Sequence, residues 1–184
     1  MDTPAVVTWH PGVILPRAQL NPDLCVGITL ALSEAQTLAL TCWAEARSRF
    51  VRGTGWVPNP IDAMADIVNV VDNRVRDPRW TKLGHKGVCL QRRQFSCWDT
   101  LGGPDNFYAL MDRAQLLLAG EDPTDKLLSC LALAEGAIGG AMVDGLAAAT
   151  HYYAHDAIDP PKWSLPPAVM TAERWGHRFF KGVK

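Results

Sequence analysis

A glutamate that shares a helix face with apolar side chains is the strongest chemical candidate in the chain. In the stretch SEAQTLALTCWAEARSR, Glu45 follows Leu38 by seven residues and Cys42 by three, so all three lie on one face of a predicted helix. A carboxyl group held against apolar neighbours keeps its proton more readily than one in water. Glu45 is therefore predicted to act as a general acid, and the alternative is a surface acid paired with Arg47 or Arg49.

A second group of candidates, Thr-His-Tyr-Tyr and the Ala-His-Asp that follows it, occupies residues 150–156. His151 and His155 are four residues apart, and on a helix this spacing would present two imidazoles to one zinc ion. No Glu lies between them, and the nearby Tyr-Tyr and Pro-Pro pairs disfavour a helix, so we expect neither a metal nor a cofactor. Aromatic rings with hydroxyl donors suit contacts with sugar rings, and they equally suit a hydrophobic core.

Four helices are predicted as the framework for these residues. Ser33 and Gln36 form a capping box at the start of the helix that carries Glu45, and Asn59 followed by Pro60 marks the start of the next one. The predicted helices cover residues 34–48, residues 61 to the Asp-Pro pair at 77–78, residues 105–119, and the segment from EDPTDK, with Pro123 in its first turn, to GAIGGAM. The polar residues of the second helix are interpreted as a solvated face, with substrate contact as the alternative; they are Asp62, Asp66, Asn69 and Asn73.

The remaining segments are predicted to lack helices. Residues 1–32 carry four Pro and no sustained period, so we interpret them as an irregular lead-in, and the Gly- and Pro-rich segment 51–60 is interpreted as a loop. The segment GVCLQRRQFSCW is expected to be strand-like or loop, and the aromatic, Pro-rich tail is expected to be irregular. The sequence therefore predicts a mainly α domain of the α+β class, with a small strand or loop element.

Composition excludes several classes of protein. At 184 residues, with 48% hydrophobic and 20% charged residues, the chain suits one domain with a sizeable core. A net charge of -1 provides no basic field for nucleic acid, and the longest apolar stretch, CVGITLAL, is too short to span a bilayer. We expect a monomer that binds neither nucleic acid nor membrane. The five cysteines form no CxxC pair and are mostly interpreted as buried thiols, with a Cys89–Cys97 bridge in an oxidising space as the alternative.

Six short motifs follow one another along the chain. They are WAEARSR, NVVDNRVRDPRW, GVCLQRRQFSCW, AAATHYYA, PPKW and GHRFF, and they extend over about residues 36–181. In order and nearly in wording they resemble the cell-wall hydrolases similar to the spore cortex-lytic enzyme SleB. The resemblance implies a lysozyme-like domain, here residues 33–184, that cuts peptidoglycan between N-acetylmuramic acid and N-acetylglucosamine.

The resemblance also implies roles for individual residues. The first Glu of the family's EAR motif is the catalytic acid, and Glu45 occupies that position. Asn73 and Arg74 match an Asn-Arg pair of the family, for which a structural role and a binding role are both open. The residues implied to bind substrate are Gln94, Phe95, Ser96, Trp98, Thr150, His151, Tyr152, Tyr153 and His177.

The chain departs from the family's pattern at three places. Arg49 stands where the family usually has a second Glu, and Phe180 stands where Tyr is common. The segment 50–60 is longer than usual, and we expect it to form a rim of the substrate cleft. Asp62 or Asp66 remains as a possible second carboxylate.

Two reactions fit a single acid at Glu45. Without an obvious second catalytic carboxylate, the C6 hydroxyl of muramic acid can attack the anomeric carbon, so lytic transglycosylation is the favoured prediction. Activation of a water by Asp62 or Asp66 would make the enzyme a muramidase instead. The more distant alternatives are a zinc-dependent amidase or peptidase that uses His151, His155 and His177, and a non-catalytic glycan-binding module.

The predicted setting for such an enzyme is that of a bacteriophage endolysin. Residues 1–20 lack the basic start and continuous apolar segment of a secretory signal, so we expect the protein to be made in the host cytoplasm. It would reach the periplasmic cell wall after a holin opens the membrane. Its partner would be the glycan strands of peptidoglycan.

Overall fold

The computed structural model describes residues 9–46, 48–51, 54–92, 94–99, 104–121 and 124–183, and within these ranges it contains six α-helices and five β-strands. The helices are α1 (Pro22–Ala31), α2 (Glu34–Ala46), α3 (Ile61–Arg76), α4 (Gly84–Leu90), α5 (Pro104–Ala119) and α6 (Asp125–Ile138). The strands are β1 (Ser48–Val51), β2 (Gly55–Pro58), β3 (His151–Ala154), β4 (Val169–Arg174) and β5 (His177–Lys181). The predicted mainly α fold of the α+β class is confirmed.

The central element is α2, which packs against α3, α4, α5 and α6. Its residues from Thr37 to Cys42 are all fully buried, so α2 is covered on every side and not along one stripe. The two threonines within it, Thr37 and Thr41, donate their hydroxyls to the carbonyl oxygens four residues earlier, which satisfies both groups inside the helix. Glu45 lies at the end of this helix, where α2 leaves the core.

The predicted capping box at the start of α2 is confirmed. The Gln36 N–H donates to the Ser33 hydroxyl at 3.1 Å, and the Ser33 N–H donates to the Gln36 side-chain oxygen at 2.8 Å. The helix ends at Ala46, two residues before the predicted end, because the chain turns into β1 at Ser48. Arg47, one of the two predicted partners of Glu45, lies outside the described residues.

The segment after α2 is a β-hairpin, so the prediction of a loop over residues 51–60 is wrong for residue 51 and residues 55–58. Strands β1 and β2 are antiparallel and pair Ser48 with Pro58 and Val51 with Gly55. Gly55 has a φ of +86°, a conformation that favours glycine and allows the return of the chain. The rim function expected of this segment stays a prediction.

Residues 22–31 form α1, which corrects the prediction that the first 32 residues are irregular. The Asn21 side chain accepts a hydrogen bond from the Leu24 N–H at 2.9 Å, and Pro22 occupies the first helical position. Cys25 and Ile28 of α1 belong to the main hydrophobic core. The helix was missed because its apolar residues do not repeat on one face, although the Asn-Pro start was a readable signal. Residues 1–8 of this segment lie outside the described part of the chain.

The last four residues of helix α4, residues 87–90, lie in the segment GVCLQRRQFSCW, for which the sequence predicts a strand or loop. Its first N–H groups are capped from another helix, since Glu34 Oε1 accepts from the N–H of His85 at 2.6 Å and of Lys86 at 3.3 Å. Gly84 precedes them with a φ of +64°, and a Cβ there would lie 2.7 Å from Glu34 Oε1. Because its cap comes from a residue 51 positions before His85, the helix has no local signal.

The two predicted helices of the second half are present as α5 and α6. Helix α5 begins at Pro104 and α6 begins at Asp125, while Pro123 lies outside the described residues. The second predicted helix, α3, is also present, but Asn59 is not its cap: the cap position is Pro60, without a side-chain hydrogen bond.

The tail forms a three-stranded antiparallel sheet in the order β3-β5-β4, which corrects the prediction of an irregular tail. Strands β4 and β5 are joined by Trp175 and Gly176, with φ of 57° and 76°, the positive values of a tight hairpin turn. Strand β3 pairs with β5 so that Tyr152 lies opposite Phe179. The sheet thereby brings residues 151–154 against the helical part of the molecule.

Two further sequence expectations concern the cysteines and the membrane. All five cysteines are buried free thiols, which confirms their interpretation as small apolar side chains. No single helix in the described ranges is both long and apolar enough to cross a membrane, whereas α1 and α2, which meet at a bend of 119°, satisfy the length and composition requirements as a pair.

Candidate active site

Glu45 lies on the last turn of α2 with its side chain half-buried. Oε1 accepts hydrogen bonds from the Ser96 hydroxyl at 3.2 Å and from the Cys97 backbone N–H at 3.0 Å. Oε2 accepts one from the Tyr152 hydroxyl at 2.9 Å. Two segments that are distant in sequence thus hold the carboxyl group, one at each oxygen.

The turn Ser96–Trp98 is fixed to α2 one helical turn before Glu45. The indole N–H of Trp98 donates to the Thr41 hydroxyl at 2.8 Å. Because Thr41 and Glu45 are four residues apart, they share a helix face, and this bond keeps the turn against the end of α2. Phe95, which precedes the turn, is 2% exposed and anchors it in the core. The turn therefore presents one hydroxyl and one backbone donor to Glu45.

Tyr152 reaches Glu45 because side chains alternate along β3. On the core face of the sheet its ring packs against Phe179 at a centroid distance of 6.0 Å, and against Phe95 at 6.4 Å. Burial and the neighbouring Glu45 raise the pKa of the Tyr152 hydroxyl well above its usual range. Tyr152 therefore keeps its proton and remains a hydrogen-bond donor to the carboxyl group.

His177 of β5 packs edge-on against the Tyr152 ring at 5.3 Å and is 5% exposed. Burial, aided by the nearby His155, lowers the pKa of His177 to about 4. His177 is therefore neutral near pH 7. It supports Tyr152 from within the core and presents almost no surface to solvent.

The side chains of His151 and Tyr153 lie on the opposite face of β3. There Tyr153 stacks on Phe180 at 5.8 Å, and Trp163 packs against both His151 and Tyr153 at 5.3 and 5.9 Å. Tyr153 is 5% exposed, while His151 is half-buried with a pKa lowered by burial to about 4. The residues of the Thr-His-Tyr-Tyr segment therefore do not form one surface, and Tyr152 is the member that contacts Glu45.

Helix α3 holds the segment that leads into β3. The Asn73 side-chain amide donates to the Ala149 carbonyl oxygen at 3.1 Å, and Arg74 Nε donates to the Thr150 carbonyl oxygen at 2.6 Å. Thr150 itself is 5% exposed. These two bonds fix the backbone just before β3 and thereby set the position of Tyr152, so the Asn-Arg pair has a structural role.

A model of the Cell Wall Hydrolase family matches residues 59–180, more than half of the chain. The chain belongs to the Cell Wall Hydrolase family. Comparisons with curated proteins and with solved structures gave no match. Membership makes the chain a cell-wall hydrolytic enzyme, and the substrate that it implies is peptidoglycan.

The family match in this cell wall hydrolase begins after Glu45. It includes α3, the turn Ser96–Trp98 and β3, whereas α2 and the hairpin precede it. The case for Glu45 therefore depends on its contacts with residues inside the matched range, above all Ser96 and Tyr152.

The Gln-Phe-Ser segment of the cell wall hydrolase is divided between core and surface. Phe95 is buried, Ser96 is exposed, and Gln94 and Trp98 are half-buried. Ser96 and Trp98 combine open surface with a hydrogen bond to α2. Of this segment, Ser96 and Trp98 are therefore the residues that are both bonded to α2 and accessible to solvent.

The polar residues of α3 are mostly buried, so the prediction of a solvated face is wrong. Asp66, Asn69 and Asn73 are 3%, 5% and 8% exposed. Asp66 forms a bidentate ion pair with Arg174 of β4. Arg174 Nε donates to Oδ2 at 2.6 Å, and Arg174 Nη2 donates to Oδ1. The C-terminal sheet and the turn before it cover this face of α3. Asp62 is exposed on the first turn of the helix.

The three histidines of the zinc alternative lie in different surroundings. His151 contacts two Trp rings, His155 Nε2 lies 3.1 Å from Asp156 Oδ1, and His177 packs against Tyr152. In the part of the chain that the structure describes, no group of three or more His, Cys, Asp or Glu side chains is arranged to hold a metal ion.

Sequence reasoning missed two residues that shape the site. Cys97 contributes its backbone N–H, for which residue type gives no signal. Thr41 anchors Trp98, and its position four residues before Glu45 was a usable signal, because a polar residue on the same helix face needs a partner.

Proposed function

We propose that this cell wall hydrolase cleaves the glycosidic bond between N-acetylmuramic acid and N-acetylglucosamine, with Glu45 as general acid and then as general base. The observation that carries the proposal is the half-buried carboxyl group of Glu45, held by three donors from two segments. Fixed donors keep the group in one orientation, which proton transfer to a bound sugar requires. The lysozyme-like architecture that the motifs imply is part of the same proposal.

The proposed reaction is lytic transglycosylation. Protonated Glu45 gives its proton to the glycosidic oxygen while the bond between that oxygen and the anomeric carbon breaks, through an oxocarbenium-like transition state. The C6 oxygen of muramic acid then bonds to the anomeric carbon, and its proton returns to Glu45. The products are a 1,6-anhydromuramic end and a saccharide with a new hydroxyl, and no water is consumed.

The surroundings of the two candidate second carboxylates, Asp62 and Asp66, favour this reaction over hydrolysis. A glycosidase of the hydrolytic kind commonly uses two carboxyl groups roughly 5 to 9.5 Å apart, with the second acting on water or on the sugar. Asp66 is buried and bound to Arg174, and Asp62 is exposed on the first turn of α3. A muramidase that uses another carboxylate is the alternative.

The role of Glu45 is tested by the substitution Glu45→Gln. Because general acid catalysis contributes about 10²- to 10⁴-fold, we expect at least about a hundredfold loss of lytic rate, with the fold unchanged. The assay is loss of turbidity of outer-membrane-permeabilised cells, with circular dichroism as the check on folding. Glu135→Gln, an exposed acid of α6, is the matched control and should keep the wild-type rate. Lysis by Glu45→Gln at the wild-type rate would refute the proposal, as expected of a metal-dependent amidase. Absence of lysis by the wild-type protein itself would refute it in favour of a non-catalytic glycan-binding module.

The type of reaction is tested by mass spectrometry of muropeptides released from purified peptidoglycan. Transglycosylation yields products that are one water lighter than the products of hydrolysis, and these should dominate. Products that carry the additional water would assign the enzyme to the muramidases.

We propose further that the enzyme acts as a bacteriophage endolysin, which reaches the wall from the host cytoplasm through a holin. Expression inside a Gram-negative host should then leave the cells intact until the inner membrane is permeabilised, and lysis should follow at once. Lysis without permeabilisation, with Glu45→Gln as the inactive reference, would contradict this setting.

A further inference from the structure

Trp163 and His151 belong to an aromatic group on the outer face of β3, opposite the face that meets the helices, and the reaction described above does not use this group. The His151 ring lies between the rings of Trp80, at 5.9 Å, and Trp163, at 5.3 Å. Trp163 also meets Tyr153 and Phe180 nearly at right angles, at 5.9 and 5.7 Å. These contacts fix Trp163 in place and still leave it half-buried, so an anchored aromatic residue remains accessible to solvent.

The ring nitrogens of His151 add a polar group to this surface. The Thr150 hydroxyl lies 3.0 Å from Nδ1, whereas Nε2 has no hydrogen-bond partner in the described part of the chain and is accessible to solvent. Partial burial lowers the pKa of His151 to about 4, so the ring is neutral near pH 7 and Nε2 can form one hydrogen bond. Packing alone does not need this nitrogen, because a phenyl ring would fill the same space between the two indoles.

The combination suits a neutral ligand with a flat apolar face. A half-exposed indole provides an apolar surface, and the neighbouring imidazole provides a single polar contact that fixes orientation. Arg79 stacks on Trp80 at 4.3 Å, but its guanidinium is paired with Asp77 at 2.9 Å and bonded to the Val183 carbonyl oxygen. Neither His151 nor Arg79 therefore offers a free charge, which favours a neutral ligand over an anion.

This surface lies next to the candidate active site along the strand. Tyr152 reaches Glu45 Oε2 at 2.9 Å on one face of β3, and His151 lies on the other face with its Cα about 3.8 Å from that of Tyr152. Strand β3 is at the edge of the sheet. Because a glycan strand extends over many sugar rings, a strand that is cut at Glu45 and crosses the edge of β3 would reach Trp163.

We propose that Trp163 and His151 form a glycan subsite away from the bond that is cut, in which the indole stacks on one N-acetylglucosamine ring and His151 Nε2 bonds to a polar group of that sugar. The inference rests on the proposed glycan-strand substrate of Glu45. N-acetylglucosamine is the neutral sugar of the strand, whereas N-acetylmuramic acid carries the peptide. The subsite holds the strand before and during the reaction, so it contributes to the affinity for peptidoglycan.

The test measures binding without cleavage, so every protein carries Glu45→Gln. Each one is mixed with increasing amounts of purified peptidoglycan, and the fraction removed by centrifugation gives an apparent Kd. His151→Phe keeps a ring between the two indoles and removes Nε2, and Trp163→Leu removes the stacking surface. His155→Phe is the matched control, because the Nε2 of His155 already lies 3.1 Å from Asp156 Oδ1. Near-ultraviolet circular dichroism checks the folding of each variant.

We expect His151→Phe to raise the apparent Kd about three- to tenfold, as loss of one hydrogen bond does, and Trp163→Leu to raise it at least about tenfold. His155→Phe should bind like its parent. A hexamer of β-1,4-linked N-acetylglucosamine should displace the parent from peptidoglycan, because the subsite takes sugar rings and not the peptide.

An unchanged apparent Kd in His151→Phe, or an equal rise in His155→Phe, overturns the subsite. Binding that the hexamer does not reduce also overturns it, since peptide contacts would then hold the protein. If Trp163→Leu does not fold, His151→Phe decides. Cleavage of peptidoglycan by Glu45→Gln refutes the proposed function itself, whereas an inactive Glu45→Gln that binds equally well with and without His151→Phe refutes only the subsite.

Discussion

The Tyr152 hydroxyl is the donor to Glu45 that can be removed with the least disturbance of packing. Its ring is held on the core face of the sheet by Phe179, His177 and Phe95, and a phenyl ring would fill the same space. The hydroxyl meets Oε2, while Ser96 and Cys97 meet the other oxygen. Loss of this hydroxyl therefore removes the hydrogen bond to Oε2 and leaves both bonds to Oε1 in place.

Tyr152→Phe is expected to lower the lytic rate about 10- to 100-fold, since a hydrogen bond to a charged group contributes about 1.5 to 3 kcal/mol. The adjacent Tyr153 provides the control, because it lies on the other face of β3 and its hydroxyl accepts from Arg178 at 3.4 Å. Tyr153→Phe should change the rate less than about threefold. Equal losses in the two variants would mean that the Tyr152 hydroxyl has no special part in holding Glu45.

At the scale of elements, α3 connects the helical core to the C-terminal sheet. It does so through the buried polar row that runs from Asp66 to Asn73 and Arg74. Near its start Asp66 pairs with Arg174 of β4, and near its end Asn73 and Arg74 hold the two carbonyls before β3. Asp66 is buried, and desolvation raises its pKa although Arg174 acts to lower it. The row that resembles a solvated face is therefore an attachment surface for the sheet.

Asp66→Ala is expected to lower the free energy of unfolding by about 1.5 to 3 kcal/mol, because it removes the buried partner of an ion pair whose other member, Arg174, is partly exposed. Asp62→Ala, one turn earlier and exposed, should change it by less than about 0.5 kcal/mol. Urea unfolding followed by circular dichroism measures both. A stable Asp62→Ala or Asp66→Ala variant that had lost its activity would instead identify that aspartate as a second catalytic carboxylate.

At the scale of the whole molecule, the buried His177 and the half-buried His151 link stability to pH. In the folded protein the pKa of His177 is about 4, compared with 6.5 for an ordinary histidine, and that of His151 is also about 4. Between these two values the unfolded chain binds protons that the folded chain does not, so stability falls as pH falls from 6.5 toward 4. Above this window both states are neutral and no penalty arises.

His177→Phe is expected to weaken this acid sensitivity, since it keeps a ring against Tyr152 and removes the titrating group. The difference in unfolding free energy between about pH 7 and about pH 4 should shrink by up to roughly 3 kcal/mol. Denaturant unfolding of both proteins at the two pH values measures it, and any constant change in packing cancels in the difference. An unchanged difference would show that His177 does not account for the acid sensitivity.

The four predicted helices could be found from the sequence because their signals are local. The Ser33 and Gln36 capping box and the apolar spacing around Glu45 involve residues that lie within a few positions of one another, so they act whatever the rest of the chain does. The Asn21-Pro22 start of α1 and the Trp175-Gly176 turn are equally local, and both were readable.

Tertiary structure alone decided which residues meet at Glu45. The sequence indicated the acid and the segments around it, but the alternation of β3 selects Tyr152 over Tyr153, and the cap from Glu34 creates α4. Hydrogen bonds to Glu45 join residues 51 to 107 positions apart, and burial of the polar row of α3 depends on the sheet that covers it. Such contacts depend on how the elements pack, and packing is a property of the whole fold that no single stretch of sequence contains.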